Sequence, residues 1–269
     1  MLKDITFGQY YDAPSQVHKC DPRVKIVLML AFIILIFVSQ NAFSLGFSAL
    51  SVCFISLISR IPLKLYLRNI KAIWMVLVVT GIINLFYSNS GKVLISFWKI
   101  EITSGGVYRA LFMATRIVLL ILISSVLTYT TTPNKLTDGI ESLLSPLKYI
   151  GLKNAVHTFA MMMTSALRFI PTLIEEAEKI MNAQKARGAD LENGKLVERV
   201  KALIPILIPL LISSVRRAYE LAEAMECRCY NGGEGKTRMK QLTLCVTDVF
   251  AFILIVIYIA GVITLNILF

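Results

Sequence analysis

Apolar positions in this chain run in blocks too long for a soluble domain to bury. Residues 26–59 carry no charged side chain, and neither do residues 249–269. Five candidate membrane spans follow: Ile26–Ser39, Ala42–Ser59, Ala72–Tyr87, Ala110–Thr131 and Val249–Phe269. A bilayer core needs about 20 apolar residues, so the first span is short and either borrows Val24 or tilts neighbours around it. Gln40 and Asn41 are the polar break between the first two spans. They predict a tight hairpin, with a single long helix as the alternative.

After the fourth span the pattern changes. From Asn154 to Arg187, apolar residues recur at Val156, Phe159, Met163, Leu167, Ile170, Ile174, Ala177 and Met181, which is helical period. Glu175, Glu176, Glu178, Lys179 and Lys185 fall on the other side, and Glu175–Lys179 is an i,i+4 pair in the favourable order. Such a helix spans roughly 50 Å at 1.5 Å per residue, and Gly188 suits its C-terminal cap. A second long helix is predicted from Lys195 to Arg228. Pro205 and Pro209 interrupt its apolar first half and predict a bend there. Its second half, Arg216 to Glu226, is charged and alanine-rich, and small residues let helices approach closely. Asn231-Gly232-Gly233 ends it. Each long helix therefore passes from an apolar half to a polar tip carrying an arginine.

Composition agrees with a membrane protein. Hydrophobic residues make up 56% of the chain and charged ones 17%, with a mean hydropathy of +0.69. Ordinary soluble domains carry about 25% charge. The net charge of +11 gathers beside the spans. Lys3, Lys19, Arg23 and Lys25 precede the first, and Arg60, Lys64, Arg68 and Lys71 separate the second from the third. The Gln40–Asn41 turn has no charge, and the Ser88–Gly106 loop has only Lys92, Lys99 and Glu101. The positive-inside rule then predicts a cytoplasmic N-terminus, an inner 132–248 stretch and an external C-terminus. No basic patch interleaved with aromatics appears, so the lipid bilayer rather than nucleic acid is the expected partner of this charge. Met1 to Arg23 lacks the apolar core and small-residue site of a cleavable signal. Cys20, Cys53, Cys227, Cys229 and Cys245 show no paired spacing and are expected as free thiols.

Catalytic chemistry finds little support, and no catalytic residue is assigned. Gly235-Lys236-Thr237 looks like the end of a phosphate-binding loop, but the glycine required five positions earlier is Tyr230. A basic linker is the plainer reading. His18 and His157 stand far apart, with no metal-ligand spacing around them, so neither a metal nor a cofactor is expected. Arg109 is expected to snorkel to the interface, and Arg116, deeper in the fourth span, to pack inside the bundle against a carbonyl or an acid. There is no chain of acids within the spans and no evident inverted repeat, which weighs against an ion-coupled transporter. Met161-Met162-Met163 reads either as core filler or as an adaptable binding surface.

Three motifs carry a resemblance. Ser15-Gln-Val-His18-Lys-Cys-Asp21-Pro22-Arg23-Val-Lys25, the run from Thr131-Thr132-Pro133 to Leu143-Leu144-Ser145-Pro146-Leu147, and Leu167-Arg168-Phe169-Ile170-Pro171 with Glu175-Glu176 and Ala183 to Gly188 are similar to one family. It is the transmembrane T component of energy-coupling factor transporters, which includes CbiQ-type cobalt and nickel proteins. The resemblance covers essentially the whole chain. It implies that the two long helices are coupling helices, each docking by an Ala-Arg-Gly-like triplet on one of two ATP-binding cassette ATPase subunits. Ala186, Arg187 and Gly188 match that triplet fully; Cys227, Arg228 and Cys229 keep only the arginine.

The sequence thus predicts an all-α membrane protein with about five transmembrane helices and two long cytoplasmic amphipathic helices. Residues 1–131 would hold the N-terminal spans, 132–240 the coupling domain and 241–269 the last span. The resemblance implies a non-catalytic coupling subunit of an energy-coupling factor importer in the cell membrane of a prokaryote. It would pass ATP-driven motion to a membrane-embedded, substrate-binding S component that takes up a vitamin or a metal ion. Met161, Met162, Met163, Phe169, Ile204, Leu207 and Ile208 are the expected S-component contacts. The alternative is a permease subunit of an ordinary ABC transporter, lining its own substrate path.

Overall fold

The computed structural model describes residues 10–87, 93–97, 100–146, 153–189, 196–230 and 245–268. The elements in chain order are α1 (Gln16–Lys19), α2 (Pro22–Val38), α3 (Ala42–Ile58), α4 (Leu63–Tyr87), β1 (Val93–Phe97), β2 (Ile100–Thr103), α5 (Ser104–Thr130), α6 (Pro133–Leu143), α7 (Lys153–Ala186), α8 (Leu196–Glu226) and α9 (Val246–Leu268). The all-α membrane class holds. Described residues within Gly8–Gly139 and Gln241–Phe269 form one compact unit, and those within Ile140–Lys240 a second.

Helix starts follow from local chemistry. Asp21 accepts from the Arg23 N–H and Pro22 sits in the first turn, so α2 begins where a capping acid and a fixed φ coincide. The apolar run alone set the predicted starts of the third and fourth spans too late. α4 begins at Leu63 rather than Ala72, and α5 at Ser104 rather than Ala110. Charge ends an apolar stretch, but arginine and lysine are good helix formers, so Arg68 and Lys71 stay helical. The loop between these helices carries a small antiparallel hairpin, β1 with β2, which hydropathy did not show.

The first two spans are separate helices. Their turn brings backbone groups to the edge of the bundle, where each needs a partner. Arg116 of α5 donates to the Ser39 carbonyl. Asn266 of α9 donates to the Val38 carbonyl at 3.0 Å, and its own side-chain oxygen accepts from the Gln40 N–H at 3.3 Å. The break is therefore held by residues distant in sequence.

Helices α2, α3, α5 and α9 meet around Phe32, Ile36, Val52, Ile123, Ile255 and Val262. Small residues set the closeness of α3 and α9, as membrane helices require. Ser44 and Ser48 are fully buried, and the Tyr258 hydroxyl donates to Ser48 Oγ at 2.8 Å. A methyl group on Gly261 would come within 2.6 Å of the Phe47 ring. Between α4 and α5, Asn69 donates to Ser125 at 2.8 Å and accepts from Tyr129 at 3.1 Å. Among the described residues, Leu63–Phe86, Ser104–Thr130, Lys201–Glu226 and Val246–Leu268 are long and apolar enough to cross a membrane, with Ala42–Ile58 apolar but shorter. The third of these belongs to the second long helix.

Candidate functional site

Helices α7 and α8 carry most of the residues singled out from sequence. α7 runs unbroken through Pro171, and α8 through Pro205 and Pro209. Two contacts define their mutual direction. Glu176 meets Arg217 at 2.8 Å and also accepts from the Ser213 hydroxyl. The Tyr230 hydroxyl lies 2.8 Å from Met161 Sδ. Moving back along α7 from 176 to 161 therefore moves forward from Arg217 on α8 to Tyr230, just past its C-terminal end. The helices are antiparallel, and their C-terminal tips lie at opposite ends of the pair.

The two tips share one cap. Gly188 has φ of 89°, with Gly188 N–H donating to the Lys185 carbonyl at 3.0 Å and Ala189 N–H to the Gln184 carbonyl at 3.0 Å. Cys229 has φ of 54°, with Cys229 N–H donating to the Glu226 carbonyl at 2.9 Å and Tyr230 N–H to the Met225 carbonyl at 3.1 Å. Both are Schellman motifs, in which a left-handed residue folds two amides back on the last turn. Arg187 and Arg228 occupy the same cap position. The loss of glycine from the second triplet therefore does not change the backbone; Cys229 adopts the conformation that glycine adopts in the first, at a steric cost of about 1–2 kcal/mol. Ala186, Arg187, Gly188, Cys227, Arg228 and Cys229 are all exposed.

The apolar stripe is exposed along α8. Leu203, Leu207, Leu211, Val215 and Tyr219 recur every fourth residue, with Ile204, Ile208 and Ile212 beside them, and all are exposed. The predicted contacts Ile204, Leu207 and Ile208 lie on it; the continuation from Leu211 to Tyr219 went unnoticed, although its four-residue spacing was legible. On α7, Met162 and Met163 are exposed, as is Phe159, while Met161 and Phe169 are half-buried. Met161 is half-buried against Tyr230.

Electrostatics tie the pair together. Glu176, not Glu175, carries the ion pair, because it faces the neighbouring helix. The Ser213 hydroxyl, with Arg217 adding to it, holds the Glu176 carboxyl below its ordinary value. His157 of α7 lies 3.9 Å from Glu141 of α6.

In the other unit, the N-terminal motif is a cluster of local and long-range ties. His18 Nε2 donates to the Tyr11 carbonyl at 2.8 Å, so its Nδ1 accepts from the Ser15 hydroxyl at 2.6 Å. The Asp21 N–H donates to Asp248 of α9 at 2.8 Å. Lys25 donates to the Thr130 carbonyl at the end of α5, at 3.1 Å. The Asp21 amide and Lys25 thus tie the start of α2 to the start of α9 and the end of α5. The five cysteines are free.

Residues 14–239 match the CbiQ family, described as cobalt transport protein. The chain belongs to this family. It is a membrane transport protein of the CbiQ type, and the matched segment holds both arginine tips and the N-terminal cluster. A Ruminiclostridium cellulolyticum protein is 48% identical over 269 residues, all of both chains. One from Thermosediminibacter oceani is 46% identical over 252 residues, 94% of each chain, and one from Bacillus subtilis is 40% identical over 242 residues, 90% of this chain and 91% of its own. All three are named energy-coupling factor transporter transmembrane protein EcfT. The CbiQ match ends before α9, but the full-length relative spans it.

Proposed function

We propose that this CbiQ-family chain is the non-catalytic coupling subunit of an energy-coupling factor importer in a prokaryotic cell membrane, with its N-terminus cytoplasmic. Two ATP-binding cassette ATPases dock on the Arg187 and Arg228 tips. The exposed stripe from Leu203 to Tyr219, with Met162 and Met163, receives a membrane-embedded S component that carries a vitamin or a metal ion. The observation that carries this reading is the pair of matched arginine caps at opposite ends of one antiparallel helix pair. A guanidinium at each cap offers a planar, permanently charged fork for carboxylates on a partner. An arginine serving only to complement its own helix end would be worth about 0.3–1 kcal/mol.

Affinity purification with the double Arg187→Glu, Arg228→Glu variant tests it. Both ATPases should be lost while the variant stays folded in the membrane, and Arg→Lys should rescue only in part. Retention at wild-type stoichiometry refutes the docking role. A second reading draws on Lys201–Glu226, which is long and apolar enough to span a membrane. In that case α8 would line the path of an ordinary permease subunit, and the purified chain alone would bind substrate.

A further inference from the structure

One face of α4 changes character along its length. Lys64, Arg68 and Lys71 stand at i, i+4 and i+7, and Met75, Val78 and Ile82 continue the row at i+11, i+14 and i+18. At 3.6 residues per turn these six share one side of the helix. All six are exposed. The opposite side is committed to the bundle, where Tyr66 is buried and Asn69 bonds Ser125 and Tyr129 of α5. Leu63–Phe86 is long and apolar enough to cross a membrane, and its most apolar stretch contains no buried residue. The row thus passes from cationic to apolar on a surface that α5 leaves open.

These cations have no counter-charge in the protein. Arg60, in the turn before α4, is exposed as well. Among the described residues, none of the four side chains makes an ion pair or a hydrogen bond. No aspartate or glutamate occurs between Asp21 and Glu101. The bonds of Asn69 set the depth. Ser125 and Tyr129 lie in the last two turns of α5, so Lys64 and Arg68 stand at the rim of the bundle, with Lys71 two residues further in than Asn69. Side chains of this length reach back to the interface along their alkyl stems. The positive-inside pattern puts that rim at the cytoplasmic leaflet.

A soluble acidic partner would match the cations but not the apolar continuation, and a neutral lipid would match only the latter. An anionic phospholipid matches both in the order in which they occur. We infer that α4 binds an anionic phospholipid of the cytoplasmic leaflet, its phosphate on Lys64, Arg68 and Lys71 and an acyl chain along Met75, Val78 and Ile82. Basic clusters immediately cytoplasmic of a transmembrane helix attract such headgroups.

Native mass spectrometry of the purified full chain, released from detergent micelles, tests this with phosphatidylglycerol and phosphatidylcholine of identical acyl chains. Wild type should retain phosphatidylglycerol at least about fivefold over phosphatidylcholine, the preference that one basic residue supplies near a membrane surface. Lys64→Gln, Arg68→Gln and Lys71→Gln together should remove that preference. Replacing Lys179, Lys185 and Lys201 of α7 and α8 by glutamine takes away the same charge and should leave it intact. Millimolar glycerol phosphate, a headgroup without tails, should displace nothing. Equal retention of the two lipids by wild type, an unchanged preference in the α4 triple variant, an equal loss in both triple variants, or displacement by glycerol phosphate overturns the inference. Loss of the preference in the affinity-purified complex also overturns it, because a protein partner would then cover this face. Circular dichroism and elution volume of the variants should match wild type, since the substituted side chains are exposed. If the α4 triple variant does not fold, Lys64→Gln alone, which should lower the preference, decides together with the wild-type comparison.

Discussion

Replacing Cys229 by glycine should tighten the tip of α8, and replacing Gly188 by cysteine should loosen the tip of α7 by a similar amount. Both residues sit at positive φ, 54° and 89°. A side chain there crowds the following carbonyl by about 1–2 kcal/mol. Glycine recovers that cost but brings a larger loss of backbone freedom on ordering, so a net change of about 1 kcal/mol in each direction is expected. No compensating contact interferes at Gly188, where an added Cβ meets nothing within 4 Å. The caps are closed by the amides of Ala189 and Tyr230, whose exchange with deuterated solvent reports local opening. One kcal/mol corresponds to about a fivefold change in exchange at these amides, slower for Cys229→Gly and faster for Gly188→Cys. Mass spectrometry on peptides covering each tip resolves that difference. Changes of the same sign at the two tips would refute the claim that Cys229 stands in for a glycine.

Two further outcomes follow from the packing. Gly261→Leu should drive a side chain into Phe47, which already stands 2.6 Å from where a methyl would sit, and cost about 1–3 kcal/mol of bundle stability. Gly81→Ala, inside α4 with nothing within 4 Å, is the control that should hold or raise stability, by up to about 1 kcal/mol from helix propensity. The Glu176–Arg217 brace should be insensitive to pH across the neutral range. Glu176 titrates below its ordinary value when folded, so its contribution is present above the ordinary glutamate value near 4.3 and is lost as pH falls through the lowered one. Tryptophan introduced at Tyr219 as a fluorescence reporter should therefore show α7 and α8 separating only under acid, and Glu176→Gln should remove the transition.

Periodicity carried much of the fold and part of the site into view. The two long helices were legible because their apolar positions repeat at helical spacing over thirty residues or more. The first hairpin was legible as a break, but not as a stable one, because its partners Arg116 and Asn266 come from other helices. The Glu176–Arg217 ion pair has the same origin: an i,i+4 rule sees one helix, and this pair is made across two. Cys229 was read as a departure from a glycine-containing triplet. Sequence records the side chain, whereas the cap depends on a backbone conformation that a cysteine can still adopt.

The position of the brace along the two helices has a mechanical consequence. Arg187 lies eleven residues beyond Glu176, and Arg228 lies eleven beyond Arg217. At 1.5 Å per residue each arm is about 16 Å long. If partners load the two tips as proposed, the Glu176–Arg217 contact would serve as the fulcrum of a balanced lever, with equal arms on either side. Equal forces applied in the same direction at the two tips cancel as torque and translate the pair as a whole. Unequal forces turn it about the brace, so the response distinguishes a concerted load from a one-sided one.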